Sequence, residues 1–124
     1  MKAGIAAAVG LIGTLASGSV MADGNELLKY CQATVRWLDT GETAGGMFGP
    51  GYCLGVINGV MSLRGITNSR FPKNAQTCIP SSVPSTGQTA RILVKYMTEN
   101  PEQLHLDEGF IAMLAIHRAF PCKE

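Results

Sequence analysis

Four cysteines in a chain of 124 residues, Cys31, Cys53, Cys78 and Cys122, constrain this sequence more than any other feature. What they can form depends on the compartment, and the N-terminus speaks to that. Met1-Lys2 is followed by an apolar, small-residue run from Ala3 to about Ala16. Then comes Ser17-Gly18-Ser19-Val20-Met21-Ala22, with small or aliphatic side chains where a signal peptidase inspects the chain. Residues 1–22 therefore read as a secretory signal peptide cleaved after Ala22. The apolar stretch is short and rich in Gly and Ala for a membrane span, and the chain turns polar at Asp23-Gly24-Asn25-Glu26. An uncleaved anchor is the competing reading, and no cysteine lies near the cleavage site to carry a lipid.

An even cysteine count in an exported chain argues for disulfides, because the space beyond the inner membrane is oxidising. The spacings contain no C-x-x-C pair of the kind that marks zinc ribbons and thioredoxin-like sites, and no C-x-x-C-H for haem. Three pairings are possible. A domain spanning residues 23–124 is a single unit that buries a modest share of its surface, so cross-links matter to it. Ten Lys/Arg stand against nine Asp/Glu, and loss of Lys2 with the leader balances them, which gives no footprint for nucleic acid.

The mature part has the periodicity of an all-α domain with four helices. Asp23-Gly24-Asn25 can cap a first helix over about 25–39, in which Leu27, Leu28, Cys31, Val35 and Leu38 recur at helical spacing until Gly41. Gly41 to Gly51 is too rich in glycine for a regular element and reads as a loop. Cys53, Val56, Ile57, Val60, Leu63 and Ile66 predict a second helix over about 51–66, with a strand as the alternative for so Val/Ile-rich a run. Gly55 and Gly59, four apart, point to a neighbouring backbone packed closely on that side.

Residues 67–84, with three prolines and Cys78, predict a long ordered loop. Ser85-x-x-Gln88 is a capping box for a third helix ending near Glu99. Asn100-Pro101-Glu102 predicts the start of a fourth, running to about Ala119. Helices three and four share a very short connection and should lie antiparallel, which brings Cys78 near Cys122 and leaves Cys31 for Cys53.

The residue inventory offers little to catalysis. A Cys–His pair needs a free thiol, and paired cysteines leave none. His105 and His117 are twelve residues apart, about 120° around a helix, and do not chelate a metal together. His117 reads as a core-edge histidine bonded to a backbone carbonyl, and His105 as a polar residue on the side of a helix. Glu99, Glu102, Asp107 and Glu108 form an acidic cluster that reads as a solvated face at a helix start. No catalytic residue, metal or cofactor is expected.

Charge is distributed unevenly: no acid occurs between Glu42 and Glu99, while Arg64, Arg70, Lys73, Arg91 and Lys95 all fall there. Such a basic region beside an acidic one can steer a partner of complementary field. The residues set at the disulfide-pinned irregular segment, Arg64, Asn68, Arg70, Lys73, Asn74 and Gln76, are the candidate partner-binding residues.

Five blocks taken in order carry a resemblance. They are Gly24-Asn25-x-Leu27-Leu28-x-x-Cys31, Cys53-x-Gly55-Val56-Ile57-x-Gly59-Val60, Cys78-Ile79-Pro80 followed by Gln88, Asn100-Pro101-Glu102-x-Leu104-His105, and Ala119-Phe120-Pro121-Cys122. Together they resemble the Rap/Tai family of type VI secretion immunity proteins, over nearly the whole mature chain. Val56 departs from the pattern, standing where the family's block carries an aromatic. The resemblance implies a periplasmic, helical, disulfide-bonded homodimer. Such a protein occludes a secreted cell-wall amidase toxin by filling its catalytic cleft and performs no chemistry itself. A small periplasmic stress chaperone or an orphan binding protein of the same fold is the competing function, disfavoured by the small number of acids. A cell-wall enzyme is the third, with nothing in the inventory to support it.

Overall fold

A computed structural model describes residues 22–123, so the reading of residues 1–22 as a leader lies, Ala22 aside, outside the described residues. The described chain folds into four α-helices with no strand beyond two isolated bridges: α1 (Gly24–Thr40), α2 (Phe48–Arg70), α3 (Thr86–Glu99) and α4 (Glu108–Ala119). Single 3₁₀ turns at Lys73–Ala75 and Pro101–Gln103 punctuate the two connections that flank α3.

The first helix forms as its sequence directs. The Asp23 carboxylate accepts hydrogen bonds from the backbone N–H groups of Asn25 and Glu26, at 2.9 and 3.2 Å. Gly41 then ends the helix at φ 75°, its N–H returning to the Trp37 carbonyl at 2.8 Å. Ser85 caps α3 in the same manner, its hydroxyl accepting from the Gln88 N–H at 3.1 Å. The buried stripes of the four helices meet in one core of Leu27, Cys31, Cys53, Ile57, Leu93 and Met97, closed by Ile111, Ala112, Ala115 and Ile116 of α4. In it α1 packs chiefly on α2 and α3, and α4 on α3 and α2.

Both disulfides have the expected partners. Cys31–Cys53 joins α1 to α2 within the core, and Cys78–Cys122 joins the loop before α3 to the segment after α4. Backbone pairing reinforces the second bridge: the Cys78 N–H donates to the Phe120 carbonyl at 2.9 Å and the Cys122 N–H to the Gln76 carbonyl at 3.3 Å.

Three sequence-based expectations are corrected. The second helix is longer at both ends than 51–66, running Phe48–Arg70. Pro50 is its third residue, where the missing N–H is one of the four that a helix start leaves unpaired, so proline does not delay it. The loop expected over 67–84 accordingly begins only at Phe71, and Asn68 and Arg70 are helical. The fourth helix does not start at Asn100, which turns back and donates its side-chain amide to the Tyr96 carbonyl at 2.8 Å. It starts at Glu108, capped by Asp107, whose carboxylate accepts from the Phe110 N–H at 3.1 Å. His105 therefore sits exposed in a turn rather than on a helix.

The third correction concerns glycine. Among the described residues, a Cβ built on Gly55 or Gly59 meets no atom within 4 Å, so no neighbouring backbone packs there. Neither has the positive φ that would require glycine. Gly55→Ala and Gly59→Ala are each expected to stabilise the protein by about 0.5–1 kcal/mol through helix propensity. Chemical denaturation checks this, and a loss of stability would mean that another chain covers this face in solution.

Two carboxylates tie stability to pH. Asp23 titrates below its usual 3.8, chiefly because the Glu26 N–H bonds its charged form, and Asp39 below the same value because Arg91 pairs with it at 2.6 Å. A depressed folded value gives stability that is present above the unfolded range and is lost as pH falls through the folded one. Melting temperature should therefore drop between about pH 5 and about pH 2, and the D23N/D39N variant should drop less over that interval.

Candidate functional site

α4 carries apolar residues on two stripes. Ile111, Ala112, Ala115 and Ile116 face the core, while Phe110, Met113, Leu114 and His117 recur at i, i+3, i+4 and i+7 on another side. A helix that is apolar on more than one face has more surface than one core can cover. Here the second stripe forms one wall of a groove of about 240 Å³. The facing wall is the C-terminal half of α2, with Val60, Met61 and Arg64, and Phe71 and Ala75, from the segment after α2, also line the groove. Phe110 is 49% exposed and Phe71 39%, so the groove opens to solvent along an aromatic rim.

The polar groups along the groove are mostly engaged with one another. The Asn68 side-chain amide donates to the Thr77 carbonyl at 2.7 Å, and its oxygen accepts from the Thr77 N–H at 3.0 Å. This pair of hydrogen bonds to one backbone residue mimics a strand pairing and holds the loop against α2. The Thr67 hydroxyl donates to the Arg64 carbonyl at 3.1 Å. His117 Nδ1 lies 3.2 Å from the Gln76 carbonyl, the backbone-bonded histidine that the sequence suggests. Cys78–Cys122 anchors the same loop from behind.

Of the six candidate partner-binding residues, Arg64 and Asn68 line the groove. Asn68 spends its side chain on Thr77, so its first role is to position the loop. Gln76 likewise donates its side-chain amide to the Phe71 carbonyl at 2.9 Å. Lys73 and Asn74 are exposed on the 3₁₀ turn beside Ala75, and Arg70 is exposed at the end of α2. Sequence reasoning missed Phe110, Met113 and Leu114. Their signal was present: the run Phe110 to Ile116 is apolar without interruption, and one stripe of it had to face outward.

The structure also divides the cations. Arg91 is paired with Asp39, and Lys95 lies 3.7 Å from Glu99 in an i,i+4 pair. Among the described residues, no acid pairs with Arg64, Arg70, Lys73 or Arg118. The acidic cluster is not uniformly solvated either, since Glu108 accepts the Tyr52 hydroxyl hydrogen. Burial first, and then that carboxylate, push the Tyr52 phenol above its usual 10.0. Tyr52 stacks in turn with Tyr30 and Phe48, at centroid distances of 4.8 and 5.9 Å, on the side of α2 where α1 packs.

The described residues form a cross-linked helical scaffold that presents an open apolar groove beside unpaired cations. The family model of the Rap1a immunity proteins matches residues 23–122, and the chain belongs to that family. As a member it is an immunity protein, of the class that protects by binding a secreted toxin. No curated protein and no solved structure matches the chain.

Proposed function

We propose that this is a periplasmic immunity protein, exported by residues 1–22 and functional as residues 23–124, that binds and occludes a type VI secretion peptidoglycan amidase without catalysing any reaction. The observation that carries this reading is the family match over residues 23–122 on a scaffold whose open groove is walled by α2, α4 and the loop between α2 and α3. Occlusion is steric. The 3₁₀ turn bearing Lys73 and Asn74 enters the amidase cleft, and the groove beside it takes up part of the cleft's rim. Rigidity gives affinity here, because two disulfides and the Asn68–Thr77 pairing leave little loop entropy to be lost on binding. A homodimer of this chain would present two such faces.

The test is capture from periplasmic extract and medium of the native strain and its close relatives, with the oxidised protein as bait. Recovery of one small cell-wall amidase whose activity disappears at equimolar bait is the expected result. Recovery of many unrelated proteins would favour a stress chaperone, and recovery of none with folded bait would favour an orphan. With the amidase in hand, Phe110→Ala should weaken binding at least about tenfold, as expected of an aromatic anchor, while leaving the melting temperature nearly unchanged because the ring is half-exposed.

A further inference from the structure

We infer that the groove receives an apolar side chain of the toxin that has a carboxylate beside it, so that the toxin's contact surface is acidic around a protruding aliphatic or aromatic residue. This deepens the binding role proposed above and rests on it. Three observations carry it.

The first is size and lining. Cavities of about 150 Å³ walled by aliphatic side chains hold a benzene ring. A groove of about 240 Å³ floored by Val60, Met61, Met113 and Leu114 therefore has room for one leucine- or phenylalanine-sized group. Methionines suit this task, since their unbranched thioethers adapt to the shape of what enters.

The second is what the polar lining leaves on offer. Asn68 and the Thr77 backbone satisfy each other, Thr67 bonds the Arg64 carbonyl, and His117 Nδ1 meets Gln76. The Arg64 guanidinium is the one permanently charged group lining the groove, and no acidic residue lines it. An occupant thus finds an apolar floor and, at its edge, a planar donor fork shaped for a carboxylate.

The third observation is scale. Arg70 and Lys73 flank the rim residue Phe71 in the chain, and Arg118 follows His117 on α4, all three exposed. Positive charge thus extends well beyond what one small anion needs. Such a field fits an acidic protein surface and raises its rate of encounter.

The full chain, produced by export and with both disulfides formed, is titrated with capped tetrapeptides and followed by amide NMR shifts. Acetyl-Gly-Asp-Leu-Gly-amide should shift Arg64, Phe110, Met113 and His117. Its Lys-Leu and Asp-Ser counterparts should bind at least about fivefold more weakly. Arg64→Gln should erase the preference for Asp over Lys and keep the preference for Leu over Ser. Equal binding of the Asp-Leu and Lys-Leu peptides, or shifts confined to other surfaces, would overturn the inference. Once an amidase has been captured, the Phe110→p-benzoylphenylalanine variant should photo-cross-link to an apolar toxin residue with Asp or Glu next to it. Cross-linking to a second copy of this chain, or none while the amidase stays inhibited, overturns the groove's role and leaves the immunity reading standing. Peptide discrimination with no amidase found does the reverse.

Discussion

Replacing Cys31 and Cys53 together by alanine is expected to cost about 5 kcal/mol and to lower the melting temperature by about 20 °C or more, while the same change at Cys78 and Cys122 costs about 4 kcal/mol. Loop closure alone predicts the opposite order. The bridges close loops of 22 and 44 residues, and chain entropy assigns them about 3.4 and about 4.0 kcal/mol. Their difference is only about 0.6 kcal/mol, the effect of one doubling in loop length. Burial decides the order. Cys31 and Cys53 are both 0% exposed and stand among Leu27, Ile57 and Leu93, so removing their sulfurs adds a cavity and a lost transfer term of about 1–2 kcal/mol.

Cys78 is exposed, and the backbone bonds around it outlast its sulfur. A domain of this size has roughly 5–15 kcal/mol in total, so the inner pair is where a reduced chain fails to fold. Denaturant unfolding of the two double variants measures the order directly. A larger loss at Cys78 and Cys122 would mean that unfolded-chain entropy, rather than burial, sets the worth of these bridges. The outer pair should show its effect in function instead: freeing the loop that carries Lys73, Asn74 and Thr77 should weaken toxin binding by more than the stability loss accounts for.

Fold class and disulfide pairing were legible in the sequence because both follow from long, local patterns. Helical spacing runs unbroken through α1 and α3, and Asp23, Gly41 and Ser85 mark their ends with cap chemistry that needs no tertiary help. The errors fall where tertiary contact overrides local preference. Asn100-Pro101-Glu102 has the signature of a helix start. Yet the Leu104 and Leu106 carbonyls, which a continuing helix would need, are taken by the N-terminus of α1. Gly55 and Gly59 signal close packing, and the structure leaves them open, because glycine spacing carries no information about which side of a helix meets the core.

The candidate site was half legible. Charge asymmetry led to Arg64, Lys73 and the loop, since charges announce exposure by themselves. Phe110, Met113 and Leu114 did not stand out, because apolar side chains on an outer stripe look like core until the inner stripe is known. Asn68 and Gln76 look like exposed recognition groups in sequence and turn out to fasten the loop.

Gly24→Ala is expected to destabilise the protein by about 3 kcal/mol, although the residue lies in the first turn of a helix, where alanine is ordinarily welcome. A Cβ at this buried position would lie 2.9 Å from the Leu104 carbonyl oxygen, 3.0 Å from the Leu104 Cα and 2.9 Å from Ile111 Cδ1. The isoleucine can yield, but the Leu104 backbone cannot easily do so. The Gly24 N–H donates to the Leu106 carbonyl at 3.0 Å, and the Asn25 N–H to the Leu104 carbonyl at 3.1 Å. The Asn25 side-chain amide adds another bond to the Leu104 carbonyl at 3.1 Å. Ile111→Val distinguishes the two obstacles, since it removes Cδ1 at a cost of about 1 kcal/mol and leaves Leu104 in place.

Gly24→Ala should therefore cost nearly as much in the valine background as in the native one, with a coupling below about 1 kcal/mol in the double-mutant cycle. A large coupling would place the whole obstacle in the side chain and show the 104–107 segment to be soft. Asp107 caps α4, so a rigid segment here fixes the register of the helix whose outer stripe walls the groove. Pushing Leu104 away from Gly24 should then displace Phe110 and Met113 and weaken partner binding at a site remote from the substitution. The same change to alanine stabilises at Gly55 and destabilises at Gly24, and the neighbours of the new methyl group set that sign.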